Sequence, residues 1–132
     1  MSHLATLQAA LLHMDCLEAA AKNSGLEMRE QTQFDWYSGK ADCDFALSLP
    51  NKKAEDTNTY DIGVVKDNGG GYSLQFDFYR QEALRTAAGN NCSKLMQQYS
   101  LETMRKAAGS RFRINSSVNE NGDIVGQAIQ LH

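Results

Sequence analysis

Asp42 and Asp44 stand two residues apart in the stretch ADCDFALSL. If that stretch is a strand, both carboxylates leave it on one side, about 7 Å apart from the strand rise. Joined by a third oxygen ligand, for which Asp77 is the candidate, they would hold Mg²⁺ and assist phosphoester hydrolysis or the handling of a nucleotide. The plainer reading is that charges on a solvated strand keep it from pairing with other chains. His3, His13 and His132 lie far apart, and none stands at a spacing that zinc motifs use. Cys16, Cys43 and Cys92 are widely spaced and lack a neighbouring activating base. Their odd number reads as three reduced thiols and a cytoplasmic location. No catalytic residue and no cofactor is assigned on this pattern.

The glycines of KDNGGG sit between two strands, whereas phosphate-cradling glycines sit between a strand and a helix, so the run reads as a hairpin connector. One basic cluster exists, MRKAAGSRFR, with Arg105, Lys106, Arg111 and Arg113 around Phe112. Arginines beside an aromatic suit single-stranded nucleic acid. Strand alternation, however, sends Phe112 to the face opposite its arginines, and a net charge of -3 works against phosphate backbones. An acidic or anionic partner fits the cluster better than nucleic acid.

The elements that must position these residues follow from periodicity. Leu4, Leu7, Leu11, Met14, Leu17 and Ala21 recur at helical spacing, with Ser2 to cap the start and Gly25 to end it. Phe34 with Trp36, and Cys43, Phe45, Leu47 and Leu49, alternate as two strands around the turn SGK. The only long polar stretch, from Pro50 to Thr59, reads as a surface loop. Ile62 and Val64 then pair with Tyr72, Leu74, Phe76 and Phe78, which leaves Ser73, Gln75, Asp77 and Tyr79 on the other face. A second helix spans Asn91–Ala108 with Leu95, Tyr99 and Met104 inward, and Gly109 ends it. Phe112, Ile114 and Val118, the turn NENGD and IVGQAIQL make a closing hairpin. The passages AAAKNSGLEMRE and MRKAAGSRFRIN both run from helix through glycine into strand, as an internal helix-plus-hairpin duplication would.

These elements fit a single domain over residues 1–132. Its 42% hydrophobic and 22% charged residues are ordinary globular usage. No apolar run reaches the roughly 20 positions a membrane span needs, and the N-terminus lacks the basic start of a cleaved signal. The expected fold is α+β, a single antiparallel sheet of about six strands with two helices packed on one face. The other face would present Asp35, Tyr37, Asp42, Asp44, Ser73, Gln75, Asp77, Tyr79, Arg111 and Arg113. Among these, Tyr37, Gln75, Asp77, Tyr79, Arg111 and Arg113 are the candidate partner contacts, since interfaces favour tyrosine and arginine. Three other uses remain open: coverage of this face in a homo-oligomer, a small-ligand cleft beside Tyr99 and Arg80, and inhibition or sequestration of a host factor or small anionic ligand by a phage protein.

MSH before an amphipathic helix, CLEAAAKNSGLEMRE, YDIG, QQY and NENGDI occur in an order that resembles the small proteins of the hypothetical-chloroplast-reading-frame type. That family, a domain of unknown function, occurs in plastids, cyanobacteria, other bacteria and some phages. The resemblance implies no catalytic residue. In some genomes its genes neighbour those for a AAA-type ATPase or a small ferredoxin-like protein, which implies an accessory role beside such a machine and agrees with a non-enzymatic binding or adaptor module acting through a protein partner. Between Phe78 and Asn91, where such relatives often carry tryptophans, this chain has none, and its Pro50–Thr59 loop is longer.

Overall fold

Period-two alternation, not a helix, comes first among the described residues. The computed structural model describes residues 4–108, 112–118 and 124–130, the last two stretches as backbone. Its first element, β1 (Ala5–Leu11), turns Leu7, Ala9 and Leu11 inward and leaves Thr6, Gln8 and Ala10 exposed. Helix α1 (Met14–Asn23) follows, so the helix expected from Leu4 begins ten residues later. Alanines are the reason: Ala5 and Ala9 complete an alternating pattern as readily as the leucines complete a helical one, and pairing with a neighbouring strand selects the first. The end of α1 is as expected. Gly25 takes φ 82°, its N–H donates to Lys22 O, and Leu26 N–H donates to Ala21 O, which satisfies the last carbonyls in a Schellman motif.

Next come β2 (Glu27–Arg29), β3 (Gln33–Trp36), β4 (Gly39–Asp42), β5 (Phe45–Ser48), β6 (Ile62–Lys66) and β7 (Tyr72–Phe76). The short α2 (Glu82–Ala88), α3 (Ser93–Ala108), β8 (Phe112–Val118) and β9 (Ile124–Gln130) complete the described chain. The class is α+β, and the strands are antiparallel. They do not form the single sheet expected. A five-stranded sheet has the order β1-β7-β6-β5-β2, while β3-β4 and β8-β9 are separate two-stranded hairpins. The closing hairpin is present as expected, paired from Phe112 opposite Gln130 to Val118 opposite Ile124, and lies against α3. Among the described residues no helix is long and apolar enough to cross a membrane.

Register decides the two faces of the main sheet. Leu47 lies opposite Ile62, Phe45 opposite Val64 and Val64 opposite Leu74, so these side chains share one face. Leu17, Ala20 and Ala21 of α1, Leu84 and Ala88 of α2 and Leu95 of α3 bury against it. The row Ala46, Gly63 and Gln75 belongs to the other face. That face is not left open: Phe34 of β3 is fully buried on it, and its ring occupies the space that a Cβ on Gly63 would need. A glycine in a strand interior here marks the close approach of a second layer.

Gly63→Ala should therefore destabilise the protein by about 1–3 kcal/mol through overpacking against Phe34. In Gly63→Ala/Phe34→Leu the loss should be smaller than the sum of the two single losses. Urea midpoints check both, and an unchanged midpoint for Gly63→Ala would contradict the seating of Phe34 on Gly63.

Candidate functional site

The covering layer is fastened by charge. Asp61 immediately precedes β6, and its N–H donates to Asp35 O at 3.1 Å while Asp35 N–H donates to Asp61 Oδ2 at 3.0 Å. Ser48 Oγ donates to Asp61 Oδ1 at 2.7 Å. Lys52 Nζ lies between the acids, 2.8 Å from Asp61 Oδ1 and 2.9 Å from Asp35 Oδ2. Its side chain is 4% exposed, so the Pro50–Thr59 segment expected as a surface loop instead sends a lysine inside. Lys40, half exposed, completes the network with a 2.7 Å bond to Asp35 Oδ1.

Two bases thus neutralise two acids. Burial pushes the Asp35 carboxyl up, but hydrogen bonds and charge from Lys40 and Lys52 outweigh it and hold the group below the usual carboxylate range. Arg29 of β2 closes the loop from outside, donating to the carbonyls of Leu49, Pro50 and Lys52 while pairing with Glu27. Gln81 pins its far end: Tyr60 N–H donates to Gln81 Oε1 at 2.9 Å and Gln81 Nε2 to Asn58 O at 3.0 Å.

Above this network two tyrosines meet. Tyr37 occupies the β3-β4 turn and Tyr79 the turn after β7. Their rings are 5.9 Å apart and perpendicular, and both are well exposed, at 56% and 42%. The Arg80 guanidinium lies 5.2 Å from the Tyr79 ring centre, on a backbone with φ 55°. A non-glycine residue there costs about 1–2 kcal/mol. Asp77 supports the turn by accepting Tyr79 N–H at 3.1 Å. Tyr60 borders the cluster, its phenol raised by burial and then by Asp77, Tyr37 and Tyr79, with Arg80 opposing. A groove of about 410 Å³ runs beside Tyr37, lined also by Trp36, Lys40, Thr57, Asn58 and Tyr60.

Of the six expected partner contacts, the structure joins Tyr37 and Tyr79. Asp77 is 4% exposed and serves the turn beneath Tyr79 instead of facing solvent. Gln75 is half buried in mid-sheet, opposite Thr6 and Gly63. Arg113 lies opposite Ile129 in the closing hairpin, so it shares no sheet with Gln75 or Tyr79. Arg111 lies outside the described residues.

The expected metal set is not assembled. Asp42 ends β4 and accepts from Gln33 Nε2, Asp44 accepts Lys66 N–H, and Asp77 holds Tyr79 N–H. The chain leaves strand conformation between Asp42 and Asp44, which removes the alternation that placed them together. Among the described residues no three His, Cys, Asp or Glu side chains are grouped to hold a metal ion.

Tyr99 and Arg80 are engaged with different parts of the chain: the Tyr99 hydroxyl accepts Leu12 and His13 N–H at the β1-α1 junction, and Arg80 stacks on Tyr79. The three cysteines are free thiols. Burial, then Asp61, Asp44 and Asp42, pushes Cys43 up to about 11, and burial pushes Cys92 up to about 12, which keeps both thiols protonated near neutral pH.

Lys52, Ser48, Asp61 and Gln81 had no sequence signal for these roles beyond Gly63, which marks where another layer touches the sheet. Lys52→Ala should cost about 3–5 kcal/mol by leaving two buried carboxylates short of a partner. Lys53→Ala, exposed next door, should stay within about 0.5 kcal/mol, and equal urea midpoints for the two variants would refute the network. Because Asp35 titrates lower in the folded chain than its unfolded value near 3.9, its stabilisation is complete above about pH 4 and is lost as pH falls through the folded value. Asp35→Asn should flatten that acid limb of stability against pH, and an unaltered limb would count against the ion pairs. Compared with protein-family models, curated proteins and solved structures, the chain matches none.

Proposed function

We propose that this chain is a non-enzymatic binding or adaptor module that engages a protein partner through Tyr37, Tyr79 and Arg80. The observation that carries this reading is the exposed perpendicular tyrosine pair with a guanidinium over one ring. Tyrosine and arginine supply large contact area and directional polar groups, and they dominate the residues whose truncation costs most at interfaces. Both rings also stand on fastened backbone. Tyr37 rides a hairpin tied down by Asp35, and Tyr79 a turn held by Asp77 and Gln81, so little ordering entropy is left for the moment of binding. The groove beside Tyr37 gives a partner side chain somewhere to enter. The resemblance to the hypothetical-chloroplast-reading-frame proteins extends the reading to a AAA-type ATPase as partner.

The test is comparative capture. Tyr37→Ala and Tyr79→Ala should each weaken binding of the partner that the wild-type chain retains by about 2 kcal/mol or more, the loss expected at an interface hot spot. Their urea midpoints should move little, since both side chains are exposed. Retention of every partner by the double variant would overturn the proposal.

A further inference from the structure

A second cavity opens on the other side of the Lys40–Asp35 ion pair, and its lining is unlike the tyrosine groove. Its volume is about 250 Å³. Arg29, Lys40, Lys52 and Lys53 contribute four bases against the two acids Asp35 and Asp61. Counting Glu27, which pairs with Arg29 from outside the lining, still leaves a cationic surplus. This surplus occurs in a chain whose net charge is -3, so it is a local concentration of positive charge and not an overall bias.

We infer that this cavity is a binding site for a small oxyanion, a phosphate or carboxylate group. The acids do not oppose this, because their oxygens are already committed. Asp61 accepts from Ser48, Lys52 and the Asp35 N–H, and Asp35 accepts from Lys40 and Lys52. An ammonium has three donors, and Lys52 spends two on these acids, which leaves one for a ligand. Lys53 makes no ion pair among the described residues and stands at the same wall. Thr32 and the amides of Gln31 and Gln33 add neutral polar groups.

A divalent cation is the opposite choice, and it would meet carboxylates already neutralised by lysine together with the remaining positive charge. Size sets a further limit, since the space is below the roughly 300–1,000 Å³ of pockets for drug-sized ligands. A single anionic group fits, either free or at the tip of a larger molecule that stays outside. The site does not depend on the tyrosine surface.

The test is titration of the whole chain with inorganic phosphate and with acetate, at constant ionic strength set by chloride, following the amide resonances of residues 31–33 and 52–54. Saturable shifts with phosphate or with acetate support the site and tell the two chemistries apart. Lys53→Glu, which lies outside the ion network, should weaken that binding at least about tenfold, as an added negative charge at a charge-assisted contact would. Lys94→Glu, on the exposed side of α3, should leave it unchanged. Lys40→Met, at another lysine of the lining, should also weaken it. Absence of saturation at concentrations on the order of tens of millimolar, where even the weakest specific sites fill, would overturn the inference. Equal affinity in Lys53→Glu and wild type would do the same.

Discussion

A lysine buried between two carboxylates organises one whole side of this protein. Lys52 comes from the polar loop, Asp35 from the β3-β4 hairpin and Asp61 from the start of β6, so one ammonium ties three separate pieces of chain together. Isolated, any of the three charges would be too costly to bury. Paired and hydrogen-bonded they persist, and the arrangement specifies where the hairpin and the loop sit more than it adds net stability. The apolar contribution to that layer is the Phe34 ring on Gly63, which sets its distance from the sheet while the ion pairs set its lateral position.

The two faces of the main sheet are consequently held by different physics. One buries leucine, isoleucine and phenylalanine beneath three helices, where contact area dominates. The other carries Ser48, Gly63, Gln75 and Asp61 beneath a thin hairpin, where hydrogen bonds and charge dominate. Exposed features on that second side inherit the placement of the layer. Tyr37 meets Tyr79 only because the hairpin tip reaches the turn after β7, and the cationic cavity exists only because the loop bearing Lys52 and Lys53 folds back over β3.

What could be read beforehand was local. Alternation along Tyr72–Phe76, the glycine stop after α1, most of α3 and the pairing of the last hairpin all depend on neighbours in sequence, and all appear in the fold. Tyr37 and Tyr79 were legible as surface residues by the same alternation. Two kinds of feature were not. Alanine-rich β1 satisfied two periods at once, and only its pairing with β7 distinguishes them. The ion network joins residues 17 and 9 positions apart through Lys52, and composition alone puts a lysine in a polar loop on the surface. Asp77 illustrates the same limit from the other direction: alternation put it on an open face beside Gln75 and Tyr79, but β7 ends at Phe76 and Asp77 is buried beneath the turn whose amide it accepts.

The most direct measurement of the Lys52 clamp is amide hydrogen exchange, with ring-to-ring NOEs, in Lys52→Met beside the wild type. If the clamp positions the second layer, the Asp35 and Asp61 amides lose protection and the Tyr37–Tyr79 NOEs disappear, while Val64 and Leu74 in the central sheet stay protected. Asp35 and Asp61 amides as protected as before, with the tyrosine contact intact, would show that the layer is held by something other than this buried charge.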